Sequence, residues 1–129
     1  MLSHVTLGVE DIEASKIFYD AVMASIGYRC GGSGEGWAGY GDISGNGIDT
    51  LWILMPTNGQ PATVGNGTNV ALIAPTRESV DLFHKIALEH GGSDEGAPGV
   101  RAENHPNFYA AYIRDLTGNK LLAVCHEAI

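Results

Sequence analysis

The feature that most constrains the fold of this chain is an internal repeat. When the sequence is shifted by 65 residues, the segment that begins at His4 (HVTLGVEDIEASKIFYDAVMASIG) aligns with the segment that begins at Asn69 (NVALIAPTRESVDLFHKIALEHGG). In both segments a short apolar strand is followed by a polar break, an amphipathic helix and a glycine. Self-similarity at a fixed spacing indicates one structural unit used twice.

The helix of each unit has recognisable ends. Asp11 and Thr76 precede the helices, and their side-chain oxygens can accept hydrogen bonds from free backbone N–H groups. Gly27 and Gly91 follow the helices, where a left-handed backbone conformation commonly ends a helix. Apolar residues at spacings of three and four predict one buried stripe on each helix. The predicted stripes contain Ile17, Phe18, Ala21, Val22 and Ile26, and Leu82, Phe83, Ile86 and Ala87.

The second part of each unit is also repeated. The sequences YGDISGN (40–46) and YIRDLTGN (112–119) both combine Asp, Gly and Asn, which is typical of hairpin turns because Asp and Asn bond their own backbone. The apolar sequences IDTLWILM (48–55) and KLLAVCHE (120–127) follow and read as strands. Each unit therefore reads as a strand, a helix and two or three further strands.

The boundaries between the units are marked by Pro and Gly. Residues 56–68 look like a linker because they are rich in Pro and Gly. Residues 91–107 form a second long stretch without a regular pattern, and long irregular stretches often serve a binding site. We predict a single α+β domain over residues 1–129, with module 1 at about 1–57 and module 2 at about 67–129.

Composition excludes several classes of protein. The net charge is −8, with only seven Lys and Arg, and such a chain is repelled by nucleic acid. No apolar run approaches about 20 residues, so no membrane span is predicted. The N-terminus lacks the pattern of a secretory signal. Cys30 and Cys125 lie outside any CxxC motif, so we expect two reduced thiols in a cytoplasmic protein.

Two segments carry a resemblance to a known family. HPNFYAAYIRDLTGNKLLAVCH (105–126) and HVTLGVEDIEASKIFYDAV (4–22) resemble the vicinal oxygen chelate superfamily, which includes glyoxalases, fosfomycin-resistance proteins, extradiol dioxygenases and bleomycin-binding proteins. The resemblance implies two tandem βαβββ modules whose mixed sheet curls into a half-open barrel around a cavity, with helices on the outside. It also implies a homodimer, with modules paired within one chain or between two chains.

In metal-dependent members of that superfamily, four side chains from the first and fourth strands of the modules bind one divalent ion. The matching positions here are His4, Asn69, Trp52 and Leu122. Only His4 is a strong ligand, whereas a catalytic metal normally has three protein ligands. We therefore expect no metal and no other cofactor, with a divalent ion at His4 as the alternative.

The pattern of the last hairpin predicts which side chains line the cavity. If Asp115 and Asn119 close the hairpin, Arg114 pairs with Lys120 and Tyr112 faces Leu122 across the strands. By alternation, Phe108, Ala110 and Val124 then share that face.

Three aromatic and basic positions each have two alternative roles. Trp37 aligns with Tyr109 in the repeat and is predicted near the cavity mouth or in a subunit contact. Arg101 and His105 could close over an anionic ligand or be solvated loop residues. Nothing in the spacing brings His105 together with His126. The candidate ligand-binding residues are His4, Trp52, Asn69, Arg101, His105, Tyr112 and Leu122.

Three functions remain open from the sequence. The first is a glyoxalase-like or bleomycin-resistance-like protein with a degenerate metal site that binds a small organic molecule. The second is an enzyme of the lyase, isomerase or dioxygenase type acting on a small oxygenated substrate, with His4 as general base and with Tyr112 and Asn69 stabilising an oxyanion. The third is a structural partner protein, which a large exposed apolar patch would favour.

Overall fold

The computed structural model describes residues 1–42 and 48–129. Two helices and eight strands follow the order predicted from the repeat, with three strands after each helix. The elements are β1 (Val5–Gly8), α1 (Ile12–Ala24), β2 (Tyr28–Gly34), β3 (Trp37–Asp42), β4 (Leu51–Leu54), β5 (Val70–Ile73), α2 (Arg77–Glu89), β6 (Ser93–Val100), β7 (Tyr109–Arg114) and β8 (Lys120–Cys125). No helix in the described part of the chain is long and apolar enough to cross a membrane.

The strands form two mixed sheets with the same topology. Sheet A has the order β1-β4-β3-β2, and sheet B has the order β5-β8-β7-β6. In each sheet the first and fourth strands of the module are parallel and the other pairs are antiparallel. The predicted α+β fold of two tandem βαβββ modules is confirmed.

The structure corrects the prediction that residues 91–107 lack regular structure. Residues 93–100 form β6, which pairs with β7 through two register shifts, between Asp94 and Gly96 and between Gly96 and Gly99. Glycine and proline are poor strand formers, so this strand lacks the alternation of apolar and polar residues that would identify it in the sequence. Its pairing with the backbone of β7 decides the conformation instead.

The predicted helix ends are confirmed. Asp11 and Thr76 accept hydrogen bonds from the N–H groups of Ala14 and Ser79, and φ is 88° at Gly27 and 96° at Gly91. The predicted stripes are wrong at one position each, because Ile17 is 67% exposed and Leu82 is 43% exposed. Both lie next to a buried phenylalanine, about 100° around the helix from it, and face solvent.

Both helices lie in one hydrophobic core shared by the two modules. The core contains Phe18 and Val22 of α1 together with Phe83 and Ala87 of α2, and the two helices contact each other. Each sheet packs one face against this core. We call the opposite face of each sheet its outer face.

Alternation along the strands assigns the outer faces. In β1 and β4, Leu7, Leu51 and Ile53 are buried in the core, so the residues between them point outward. The outer-face residues are His4, Thr6, Trp37, Trp52 and Leu54 on sheet A, and Asn69, Ala71, Ile73, Ala110, Tyr112, Leu122 and Val124 on sheet B.

The predicted register of the last hairpin is confirmed. Arg114 pairs with Lys120 and Tyr112 pairs with Leu122, because Asp115 and Asn119 close the turn through an Asp115 N–H to Asn119 O hydrogen bond of 2.9 Å. The corresponding turn predicted at 40–46 falls mostly on residues outside the described ranges.

The predicted equivalence of Trp37 and Tyr109 is wrong by one residue. Trp37 lies two residues before the strand partner of Trp52, whereas Tyr109 lies three residues before the partner of Leu122. Trp37 therefore corresponds to Ala110 and lies on an outer face. Tyr109 instead packs against the core.

Candidate functional site

An aromatic group covers the outer face of sheet A. The rings of Trp37 and Trp52 lie 5.4 Å apart with an interplanar angle of 34°. The His4 ring approaches Trp52 edge-on at 6.1 Å. These are the two tryptophans of the chain, so intrinsic fluorescence reports on this face.

Glycines beneath the aromatic group let the two indole rings approach the sheet backbone closely. A methyl group at Gly34 would be only 2.8 Å from Trp37 Cε2, and one at Gly39 would be 3.1 Å from Trp52 Cε3. The same position at Gly39 is 2.9 Å from Asp49 Oδ2, so the half-buried Asp49 carboxylate lies beside the Trp52 ring. Indole Nε1 of Trp52 also donates to the Asp49 carbonyl at 3.1 Å.

The residues at the expected metal position do not fit a divalent ion. Trp52 pairs with Thr6, and Leu122 pairs with Ala71, so the two hydrophobic residues occupy equivalent places in the modules. His4 Nδ1 is within 2.9 Å of the Ser3 hydroxyl. No group of three His, Cys, Asp or Glu within residues 1–42 and 48–129 has a metal-binding arrangement.

The outer face of sheet B carries a small apolar cluster. Ala110, Leu122 and Val124 are at most 3% exposed, and Phe108 and Tyr112 pack against them. This is the face that the sequence predicted for these five residues. Together these residues form an apolar surface with the Tyr112 phenol at its border.

Two cations lie over Tyr112. The Arg101 guanidinium is 5.4 Å from the ring centroid and Lys120 Nζ is 5.5 Å from it. Arg101 donates from Nη2 to the Ala97 carbonyl at 2.7 Å and from Nη1 to the Gly99 carbonyl at 2.8 Å. These bonds hold Arg101 on the outer face of β6.

His105 and His126 form a pair that the spacing did not predict. His105 Nε2 and His126 Nδ1 are 2.8 Å apart, and the Phe108 ring packs edge-on against both at 5.5 Å. His126 continues the alternation of Leu122 and Val124, so that pattern could have placed it on the outer face. The approach of His105 depends on the path of residues 101–108.

The two outer faces are separate within one chain. His4 and Trp52 belong to sheet A, whereas Tyr112, Leu122 and Asn69 belong to sheet B. Among the described residues, no hydrogen bond or ring contact joins side chains of the two faces. The structure therefore places these predicted site residues on two separate faces.

Comparisons with known proteins agree with the fold and with the sequence resemblance. A family model described as the Glyoxalase/Bleomycin resistance protein/Dioxygenase superfamily matches residues 1–122. No functionally curated protein matches the chain.

Solved structures include close matches over the full length. A glyoxalase/bleomycin resistance protein from Albidiferax ferrireducens T118 is 39% identical, with 98% of this chain and 99% of that chain covered and a TM-score of 0.85. The fold is shared by a glyoxalase-related enzyme from Fulvimarina pelagi, which is 19% identical, with 97% of this chain and 87% of that chain covered and a TM-score of 0.72. It is also shared by a putative glyoxalase from Bacillus halodurans, which is 24% identical, with 97% of this chain and 95% of that chain covered and a TM-score of 0.69. The chain therefore belongs to the glyoxalase/bleomycin resistance protein/dioxygenase superfamily.

Proposed function

We propose that the protein binds a small organic molecule between the outer face of a sheet A and the outer face of a sheet B. The observation that carries this proposal is the chemistry of the two half-sites. One is an aromatic surface of Trp37 and Trp52, and the other is the apolar cluster around Leu122. Apolar walls with a few polar groups are the usual makeup of a ligand site.

A second copy of the chain would complete this cavity. The common core holds both sheets by their helix-facing sides, so the outer faces of one chain are turned away from that core. In the described residues, β1 pairs with β4 alone and β5 pairs with β8 alone, and exposed strand edges of this kind favour pairing. A symmetric homodimer would give two equal cavities, each with sheet A from one copy and sheet B from the other.

The polar residues at the rim would orient the ligand. His4 stands beside Trp52 on sheet A, and Asn69 and Tyr112 lie on sheet B. None of these side chains has an ionic partner among the described residues. They offer hydrogen bonds to a ligand whose body packs on the indole rings.

The test uses the neutral fluorescent probe 1-N-phenylnaphthylamine. We expect saturable binding of one probe per chain, together with a change in tryptophan fluorescence. Trp52→Ala should weaken binding at least tenfold, because it removes one of the two indole rings of the aromatic surface.

Ile17→Ala is the matched control. Ile17 is also an exposed apolar side chain, but it lies on α1, away from both outer faces. Equal probe binding by wild type and both variants would overturn the proposal, as would binding that does not saturate.

A further inference from the structure

We propose that the cleft between residues 64–69 and the β7–β8 hairpin binds the anionic group of the ligand, a phosphate or a carboxylate. The inference rests on the proposed function for the apolar part of that ligand. The residues of the cleft would recognise the charge of the ligand.

The cleft is a cavity of about 450 Å³ at the rim of the outer face of sheet B. Arg114 and Lys120, which pair across β7 and β8, form its basic wall. The other wall contains Thr68 and the amide of Asn69, one of the residues predicted from the sequence to bind a ligand. A hydroxyl, an amide and two cations are suitable donors for an anion.

Lys120 is the main source of uncompensated charge. Its Nζ lies over the Tyr112 ring at 5.5 Å, and within the described residues it has no ion pair. Arg114 is partly neutralised, because its Nε contacts the Glu95 carboxylate and its Nη1 donates to the Gly118 carbonyl at 2.8 Å.

Arg101 adds a further cation over the Tyr112 ring. Its guanidinium lies 5.4 Å from the Tyr112 centroid and bonds only carbonyl oxygens among the described partners. Two of the seven Lys and Arg residues in a chain of net charge −8 thus lie over one tyrosine, and a third, Arg114, lines the cleft with Lys120. This local concentration of positive charge attracts anions to an otherwise acidic protein.

The cleft adjoins the apolar cluster along β8. Lys120 and Leu122 alternate along β8 and share the outer face. A ligand with an anionic group at Lys120 would therefore lay its apolar body over Tyr112 and Leu122. The matching ligand class is a small aromatic or aliphatic phosphate or carboxylate.

The experiment compares phenyl phosphate, benzoate and neutral benzyl alcohol by isothermal titration calorimetry on the full chain. We expect an anion to bind at least tenfold more tightly than benzyl alcohol, and to bind more weakly as ionic strength rises. Preference for phenyl phosphate assigns a phosphate, and preference for benzoate assigns a carboxylate.

Three lysine variants give the matched controls. Lys120→Met should weaken binding of the preferred anion about tenfold, and Lys120→Arg should retain it. Lys85→Met removes the same charge from an exposed position on α2 and should have little effect. Equal losses in Lys120→Met and Lys85→Met would overturn the inference, because they would indicate only the net charge.

The inference and the proposed function fail differently. Saturable binding of 1-N-phenylnaphthylamine without any preference for anions would overturn the anion cleft and leave the proposed function standing. If no anion binds and Lys120→Met loses the dimer, the cations belong to the contact between copies. That result would also overturn the inference.

Discussion

Asp115 is one of the residues that join the two modules by hydrogen bonds. It is 5% exposed, and its Oδ2 accepts from the Tyr19 hydroxyl at 2.6 Å and from Asn119 Nδ2 at 3.0 Å. Its Oδ1 accepts from the backbone N–H groups of Thr117, Gly118 and Asn119. A buried carboxylate is tolerated only with such a set of donors.

Replacing Tyr19 by phenylalanine tests the value of this contact. Tyr19→Phe removes the hydroxyl that reaches Asp115 from α1 and leaves one buried carboxylate oxygen short of a donor. We expect the free energy of unfolding to fall by about 1.5–3 kcal/mol, the usual contribution of a hydrogen bond to a charged group. Urea denaturation followed by circular dichroism measures the change.

Tyr112→Phe is the control for the loss of a phenol hydroxyl. Tyr112 lies on an outer face, and its hydroxyl bonds no other group in the described ranges, so the variant should be as stable as wild type. Equal stability of both variants would show that the Tyr19 contact contributes nothing to holding the modules together.

The sequence predicts the local part of this arrangement but not the distant part. Asp115 and Asn119 are recognisable as turn residues, and closing the turn fixes the register that places Tyr112 opposite Leu122. Tyr19 is 96 residues away, and it lies outside the apolar stripe that the sequence predicted for α1. No local rule connects a helix of one module to a turn of the other.

Among the elements, the segment at residues 101–108 is held to sheet B by a histidine pair. The N–H of Asn107 donates to His105 Nδ1 at 3.0 Å, so Nδ1 is an acceptor. The proton of a neutral His105 ring is therefore on Nε2, and Nε2 donates to His126 Nδ1. The N–H of Arg101 also donates to the Phe108 carbonyl at 2.7 Å. The segment is therefore anchored at its centre, and its two ends are joined to each other.

Removing His126 should loosen the centre of this segment. In His126→Ala the His105 ring loses its partner at the end of β8, at a cost of about 1 kcal/mol for one hydrogen bond. We expect the Asn107 and Phe108 amides to exchange several-fold faster, with the core strands unchanged. Hydrogen exchange measured by nuclear magnetic resonance gives these rates residue by residue.

His90→Ala provides the comparison. His90 is exposed at the end of α2, where its Nδ1 contacts the Ile86 carbonyl, so the same substitution there should leave Asn107 and Phe108 unaffected. Unchanged exchange of both amides in His126→Ala would show that the histidine pair does not anchor the segment.

The sequence did not predict strand β6, because this strand lacks the usual features of a strand. β6 contains Gly96, Ala97, Pro98 and Gly99, and its register shifts twice. Such a strand has no alternation and only one β-branched residue, Val100, so its partner β7 largely specifies it. The one-residue error at Trp37 arose in the same way, because glycines surround Trp37 and remove the alternation that would fix its face.

For the whole molecule, two buried tyrosines control stability at alkaline pH. Burial raises the pKa of Tyr19 well above its ordinary value, and Asp115 raises it further. Burial and then Asp20, which accepts from the Tyr40 hydroxyl at 2.7 Å, raise the pKa of Tyr40. Above about pH 10 the unfolded chain loses protons that the folded protein keeps, so stability falls as pH rises.

We therefore expect the free energy of unfolding to stay level up to about pH 10 and to decrease above it. Urea titrations at a series of pH values measure the slope, and phenolate absorbance follows ionisation. Tyr19→Phe should reduce the slope. Ionisation of all five tyrosines while native circular dichroism persists would contradict the expectation.

The proposed assembly of the site from two chains leads to the last prediction. Trp52→Ala damages the half-site on sheet A, and Leu122→Ala damages the half-site on sheet B. Each variant alone should lose most binding of 1-N-phenylnaphthylamine. When the two variants are unfolded, mixed in equal amounts and refolded, half of the dimers should contain one chain of each kind.

In such a mixed dimer, one cavity combines both damaged half-sites and the other combines both intact ones. We expect about a quarter of all sites to recover wild-type affinity, because random pairing makes half of the dimers mixed and each has one intact cavity. If each chain built its own cavity, every site would contain one damaged half, and mixing would restore nothing. Size-exclusion chromatography with light scattering on the same mixture distinguishes failed refolding from failed complementation, because only the latter leaves intact dimers without recovered binding.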